Sequence, residues 1–516
     1  MTAISLDTLI KNVSLDGKPE GKSESTKLQV DITGITTDPN LCRPGFLYVA
    51  AECETVDSTR YGVRLDGRDF IDIAVASGAA AVLTTPDASS KVEAAKSVIS
   101  LSHSAPLSIM GELCSRFFGA PKPQHIALVT GTNGKTSTVN FSRSLWTKAG
   151  FGACSIGNLG GVCSDGSLVW DRDPTLSVPE TVTLHRILHE LALRGINHVA
   201  MEATSHALFD YRLNGVPATI GAFTNLTRDH LDFHQTMEEY FRVKMLLFKE
   251  VLAPGSFAVL NADAEWFAPA LAICQDRKHR IISYGFNGSE VKLVNLEKTA
   301  TGQTLGLEIY GKKYQTRLNL FGLFQASNAL CSLSIALASG VAVEDAVALL
   351  STLGEVEGRL NTVAFTPEGG RAIVDYAHTP DGIRAALEAC RTFTPGKLVV
   401  VFGCNGERDH GKREEMGAIA ARLADQVIVT DGHPRSEDPG TIRRDVMIGA
   451  PRAMEVDDRT RAIEIALQMI KDGDTVLIAG LGHENFRTIG AEHVPYSDTE
   501  TTKTLASAML APEAQR

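Results

Sequence analysis

Blocks of consecutive basic residues are missing from this 516-residue sequence, and its formal charge at pH 7 is -11. Nucleic-acid binding needs a basic face to displace phosphate counterions, so the bulk charge argues against that class. Any anionic substrate must instead meet basic side chains placed one at a time. The nine cysteines, scattered from Cys42 to Cys404, are odd in number and contain no C-x-x-C pair. This argues against a disulfide framework and a zinc site, and fits a reducing compartment. The opening MTAISLDTLIKNVSLDGK lacks a basic segment followed by an apolar one, and no stretch approaches the roughly 18 apolar residues of a membrane span. A cytoplasmic protein without membrane insertion is expected.

What is present is an ordinary globular composition, 44% hydrophobic and 22% charged, with many of its 45 glycines at the ends of apolar runs where α/β proteins turn. At about 150 residues per domain the length predicts three domains. Turn chemistry at Asp38-Pro39-Asn40, Pro44-Gly45 and Asp66-Gly67-Arg68-Asp69 punctuates short strands and helices in the first hundred residues. Ala120-Pro121-Lys122-Pro123 links into the β-branched run Ile126–Val129, which suits a buried parallel strand. Leu184, Ile187, Leu188 and Leu191 share one face of a helix over Thr181–Leu193, stopped by Gly195, and His198–Met201 reads as the next strand. After Asn328 an Ala/Leu-rich helix runs toward Ser339-Gly340, another follows over Val343–Leu350, and Gly354–Arg359 reads as a linker. Strands at Leu398–Phe402, Gln426–Thr430 and Thr475–Ala479 complete the alternation, and no repeat of solenoid period occurs. The fold class is therefore α/β in three domains. Residues 1–106 are expected to form a small α/β domain, 107–353 a central P-loop-type parallel-sheet domain, and 354–516 a Rossmann-like C-terminal domain.

Gly131-Thr132-Asn133-Gly134-Lys135-Thr136-Ser137 joins a predicted strand to a predicted helix, so its amides can face a phosphate chain at the helix N-terminus. Lys135 adds a full charge and Thr136 can hold Mg²⁺. Val129 stands where the usual G-x-x-x-x-G-K-T spacing has glycine, so this is a shorter variant. A plain glycine turn with a solvated lysine is the alternative. Glu202 follows an apolar strand directly, at the sheet edge where α/β proteins bind ligands. Thr224-Asn225-Leu226-Thr227-Arg228-Asp229-His230-Leu231-Asp232 follows, then Lys244 on a helix beginning near Met237. By residue type alone His230 fits a cap or core position and Lys244 a solvated helix surface.

Thr130-Gly131-Thr132-Asn133-Gly134-Lys135-Thr136, Met201-Glu202-Ala203-Thr204-Ser205-His206 and Thr224–His234 followed by Arg242-Val243-Lys244 together resemble the Mur ligase family, nearest its diaminopimelate-adding branch. The likeness runs over nearly the whole chain and is weakest before residue 40 and over 285–317. It implies an enzyme that uses ATP and Mg²⁺ to form an amide through an acyl phosphate. Its substrates would be a UDP-N-acetylmuramoyl dipeptide and meso-diaminopimelate, and the enzyme a monomer. The resemblance implies Lys135, Glu202, His230 and Lys244 as catalytic residues, with Thr136, Glu202, His230 and Lys244, the last as a carbamate, around the metal. For the nucleotide it adds Asn261, Asn328, Arg359 and Asp375, with Gln325 where asparagine is common. For the UDP-sugar it implies Asp38, Ser177, Thr204 and Arg212, although Pro39 and Val178 replace usual hydroxyl residues. For the amino acid it implies Arg408, Gly432, His433, Pro434, Arg435, Gly480 and Glu484. Here Gly432-His433 replaces the common Asp-Asn, and Leu481 a common lysine. Arg435 favours a dicarboxylic amino acid, its bland alternative being a surface ion pair with Glu437 or Asp438. Rival readings are a sister ligase adding lysine or ornithine, a folylpolyglutamate synthetase, a non-catalytic nucleotide-binding scaffold, and a P-loop motor or transporter.

Overall fold

The computed structural model describes residues 3–16, 30–52, 66–95, 98–172 and 176–510. The chain forms two compact units, one of residues 1–128, 151–221 and 243–256, the other of residues 129–150, 222–242 and 257–516.

In the first unit, Gly34–Thr36, Phe46–Val49, Ala81–Thr84 and Ile99–Ser102 pair in chain order as a four-stranded parallel sheet. Alternate side chains go to opposite faces. Leu47, Val49, Leu83 and Leu101 pack with Leu6, Leu9 and with Leu113 and Phe117 of the helix Pro106–Phe118. Tyr48 and Val82 pack on the other side with Ile71, Ala74 and Val92. A sheet covered on both faces is what near-continuous apolar strands require. Further along, His198–Glu202 runs parallel to Ala153–Gly157, which turns back as Gly160–Cys163. The helix Thr181–Leu193 buries Leu184, Ile187, Leu188 and Leu191, as their spacing predicts.

In the second unit the helix Lys135–Lys148 packs on the helix Leu323–Ala338, tied by Trp146 Nε1 donating to Ser339 Oγ (2.8 Å) and Ser332 Oγ to the Thr138 carbonyl (3.0 Å). That second helix starts before Asn328, not after it as expected. Gly322, at φ +89°, provides the break, and Asn328 sits inside the helix with its side chain donating to Gln325 Oε1. The antiparallel meander Val291–Thr299, Gly302–Ile309 and Lys312–Leu318 was not anticipated. Its signal is the two-residue alternation that buries Leu305, Leu307 and Ile309.

The C-terminal region of this unit holds a six-stranded sheet of order Asn361–Phe365, Arg371–Asp375, Thr475–Ala479, Leu398–Phe402, Gln426–Val429 and Met454–Glu455. It is parallel except for the first pair. Apolar clusters around Ile383, Phe402 and Met416 on one side and Val401, Ile463 and Ile478 on the other make it doubly wound, as the sequence predicts. No helix among the described residues is long and apolar enough to cross a membrane.

Candidate active site

The strand His125–Thr130 runs into the phosphate loop and the helix begins at Lys135. Gly131 (φ +146°) and Gly134 (φ +90°) adopt backbone that L side chains resist. A Cβ on Gly131 would lie 1.9 Å from Thr224 Oγ1, and one on Gly134 2.3 Å from Asn328 Oδ1. The crowding comes from a strap over residues 224–227. The Asn133 N–H donates to Asn225 Oδ1 (2.9 Å), the Thr132 N–H to the Asn225 carbonyl (3.0 Å), and the Thr227 N–H to Thr132 Oγ1 (3.0 Å). Thr224 Oγ1 donates to the Asn133 carbonyl at 2.7 Å. Lys135 Nζ curls onto the carbonyls of Gly131 (3.0 Å) and Thr132 (2.9 Å). Thr136 Oγ1 accepts from Arg359, whose guanidinium lies 4.4 Å over the Tyr376 ring. Two cations therefore border the loop, and Ser137 is buried in the helix's first turn.

The other expected nucleotide residues sit in the same unit. Asn261 Nδ2 donates to the Thr224 carbonyl (2.8 Å) while Oδ1 accepts from the Asp263 N–H (3.0 Å), so it makes an Asx turn and braces the strap together. Asp375 is buried, and its two oxygens accept the Leu360 (2.6 Å) and Ala377 (2.7 Å) amides. Burial pushes its carboxyl up, against the pull of Arg359 and those two amides.

Asp229, beside His230, is buried among three nitrogens: His230 Nε2 at 3.4 Å, Lys412 Nζ at 3.5 Å and His378 Nε2 at 3.6 Å. Burial alone would raise its carboxyl, but the charges of His230, Lys412 and His378 hold it well below the usual range. Arg228 grips Asp409 with two hydrogen bonds (2.6 and 2.8 Å), and Arg408, expected at the amino acid, reaches Asp232 at 3.2 Å. Sequence reasoning missed Asp229, His378 and Lys412 as partners. Buried charges at such separations in the chain leave no periodic signal.

Arg435 is mostly buried at φ +54°, its N–H donating to the Thr488 carbonyl (3.1 Å) and its carbonyl accepting the Gly490 N–H (2.8 Å). Burial, then the neighbouring charge of Arg408, lower its pKa, and its Nε has no hydrogen-bond partner among the described residues. It is not a surface ion pair. Glu437 belongs to Arg413 (2.8 Å) and His410 (3.4 Å), and Asp438 caps the helix Pro439–Gly449. Glu484 accepts from the Tyr376 hydroxyl (3.1 Å) and meets His433 Nε2 (2.6 Å). Around them the Gly432 carbonyl accepts from Arg487 Nε (3.0 Å), the Pro434 carbonyl accepts the Glu437 N–H (3.1 Å), and Gly480, at φ +114°, donates to the Asp375 carbonyl (3.0 Å). Arg435 thus feels the charges of Arg408, Glu407, Glu484 and Asp232, a mixed surrounding in which its fork can meet a carboxylate.

The first unit carries the remaining residues. Glu202 is fully buried at the end of its strand, Oε1 accepting the Asn158 N–H (2.9 Å) and Oε2 the Asn158 side-chain amide (3.3 Å). Ser177 Oγ donates to Asn158 Oδ1 at 2.6 Å, forming a chain Ser177–Asn158–Glu202. Asn158 was missed in the sequence, where a lone loop asparagine after Gly157 looks like a turn. Gly157 is required beside it, since a Cβ there would lie 2.3 Å from Glu202 Oε1. Lys244 is 1% exposed, which rules out the solvated helix lysine. Arg212 is buried against Asp210 (3.1 Å) and the Val178 carbonyl (3.2 Å). Thr204 caps the helix Ser205–Phe209, and Asp38 caps the turn Pro39–Leu41.

A glycine loop between strand and helix, bordered by Lys135 and Arg359, is the arrangement of a nucleotide-binding protein. Residues 129–336 match the Mur ligase middle domain and 358–482 the Mur ligase glutamate ligase domain. The chain is 41% identical over 469 residues to the UDP-N-acetylmuramoyl-L-alanyl-D-glutamate--2,6-diaminopimelate ligase of Rhizobium meliloti, covering 91% of this chain and 93% of that one. It is equally 41% identical to the enzyme of that name from Zymomonas mobilis, over 92% of this chain and 94% of the relative. A solved structure of a ligase of that name superposes with TM-score 0.67 at 27% identity, covering 99% of this chain and 100% of that one. Folylpolyglutamate synthase of Mycobacterium tuberculosis, complexed with ADP and AMPPCP, shares the fold at TM-score 0.60 and 18% identity, over 78% of this chain and 95% of that one. The chain belongs to the Mur ligase family. It is an ATP-dependent ligase that forms an amide bond and uses Mg²⁺.

Proposed function

We propose that this enzyme adds meso-diaminopimelate to the D-glutamyl γ-carboxylate of UDP-N-acetylmuramoyl-L-alanyl-D-glutamate, a step of peptidoglycan precursor synthesis. The observation that carries the amino-acid assignment is a buried Arg435 Nε with no hydrogen-bond partner among the described residues, within reach of the Glu484 charge. Lysine and ornithine lack the second carboxylate that Arg435 would bind.

In this reading a γ-carboxylate oxygen attacks the γ-phosphorus of ATP, ADP leaves, and an acyl phosphate forms. The amine of diaminopimelate then adds to the acyl carbon, the tetrahedral adduct expels phosphate, and the amine's proton is lost. Lys135 and Arg359 offset charge on the moving phosphoryl group. Mg²⁺ would be held by Thr136, Glu202, His230 and Lys244 as a carbamate, and supplies charge neutralisation. Oxygen donors of this kind suit a hard cation, and within the first unit Asn158 orients the buried Glu202 carboxylate. Gly131, Thr132, Asn133, Gly134, Ser137, Asn261, Asn328 and Asp375 would complete the nucleotide site. Asp38, Ser177, Thr204 and Arg212 would bind the UDP-sugar, and Arg408, Gly432, His433, Pro434 and Gly480 would flank the amino acid.

The domain limits proposed are 1–106, 107–353 and 354–516, with the enzyme acting as a cytoplasmic monomer that binds no nucleic acid. The reading is tested by labelling the D-glutamyl γ-carboxylate with ¹⁸O and supplying ATP and meso-diaminopimelate. One labelled oxygen should appear in each phosphate released. Unlabelled phosphate would contradict an acyl-phosphate route.

A further inference from the structure

His433 is buried, and both ring nitrogens are committed. Nδ1 accepts the Thr488 backbone N–H at 2.9 Å, so this nitrogen carries no proton. The neutral ring must then be protonated at Nε2, which donates to Glu484 Oε2 at 2.6 Å. The tautomer is fixed by a backbone amide of the strand Phe486–Ile489, and a flipped ring would lose both bonds. The backbone is pinned as well, with the His433 carbonyl accepting the Gly406 N–H at 2.8 Å.

Glu484 thus has a neutral donor on each oxygen, Tyr376 Oη on Oε1 and His433 Nε2 on Oε2. Among the described residues no lysine or arginine is in ion-pair range of it. Its orientation is set while its charge stays uncancelled, as an ammonium ligand requires. We infer that His433 is a positioning residue that aims the Glu484 carboxylate at the distal ammonium of the amino-acid substrate. This rests on the reading that Arg435 and Glu484 bind the far end of that substrate. Its content is that His433 acts through Glu484 instead of touching the substrate itself.

Steady-state kinetics with saturating ATP and UDP-dipeptide test this on H433N, H433Q, E484Q and the double variant H433N/E484Q. The shorter asparagine can take the Thr488 N–H but does not reach Glu484, whereas the glutamine amide nitrogen can reach where Nε2 lies. H433N should raise KM for diaminopimelate about tenfold, with KM for ATP within about twofold, and H433Q should recover to within about threefold of wild type. The double variant should be no worse than E484Q alone, because the two residues act as one unit. A diaminopimelate KM unchanged in H433N, or losses that simply multiply in the double variant, would overturn the inference while wild type still uses diaminopimelate. Wild type using lysine and rejecting diaminopimelate would overturn the underlying substrate reading instead.

Discussion

Arg435 is the residue on which amino-acid choice turns. Its backbone is held in a left-handed conformation by two main-chain bonds to residues 488 and 490, and its side chain is mostly buried. Replacing it by alanine should cost about 1.5–3 kcal/mol in the diaminopimelate complex, roughly 10- to 150-fold in kcat/KM, with lysine use unchanged or improved. Competition between the two amino acids, read by product mass, measures this. A different residue contributes to acid tolerance. His185 is buried with Nε2 at 3.2 Å from the Asn214 carbonyl, and burial, helped by the charge of Lys122, lowers its pKa from 6.5 to about 4. The unfolded ring takes a proton first as pH falls. Stability from this group is therefore complete above about pH 6.5 and is lost toward pH 4, by about 2 kcal/mol between pH 7 and pH 5. Thermal midpoints at the two pH values should differ less in H185Q than in wild type. Equal differences would show that another group titrates.

At the scale of elements, the phosphate loop is shaped by the strap at 224–227 as much as by its own glycines. N225A removes the acceptor of the Asn133 N–H, and an amide left without its partner costs about 1–3 kcal/mol. KM for ATP should rise roughly tenfold while KM for diaminopimelate stays put, measured by initial rates. Elements of this kind show how far the sequence could be read. Lys135, Thr136 and the helix after them were legible because a glycine loop between strand and helix is a local pattern. The helical face of Leu184, Ile187, Leu188 and Leu191 was legible for the same reason, its period being short. Asn225 and Asn158 were not. Their roles come from partners 92 and 44 residues away, and the residue type alone suits a turn. The start of the helix at Leu323 was lost because Asn328 looks like a cap when it is an interior residue braced by Gln325.

Across the molecule, the second unit joins its phosphate-loop portion to its C-terminal sheet through charges: Lys412 and His378 on Asp229, Arg228 on Asp409 and Arg408 on Asp232. The exposed Arg228 contributes little, but Lys412 and Asp229 are both buried. K412M leaves that carboxylate with fewer positive neighbours, a loss on the order of 3 kcal/mol. A thermal midpoint lowered by several degrees and a reduced kcat should result, and no change in either would show the contact to be incidental. Whether the whole enzyme couples ATP to the expected amide is decided by one assay. Phosphate release is followed with UDP-N-acetylmuramoyl-L-alanyl-D-glutamate and, in parallel, meso-diaminopimelate, L-lysine or L-ornithine, and the products are weighed by mass spectrometry. Release that depends on diaminopimelate, with one residue of it gained per phosphate, is the expected result. Preference for a monocarboxylic amino acid, or release with none, would contradict the role given to Arg435 or the ligase reaction itself.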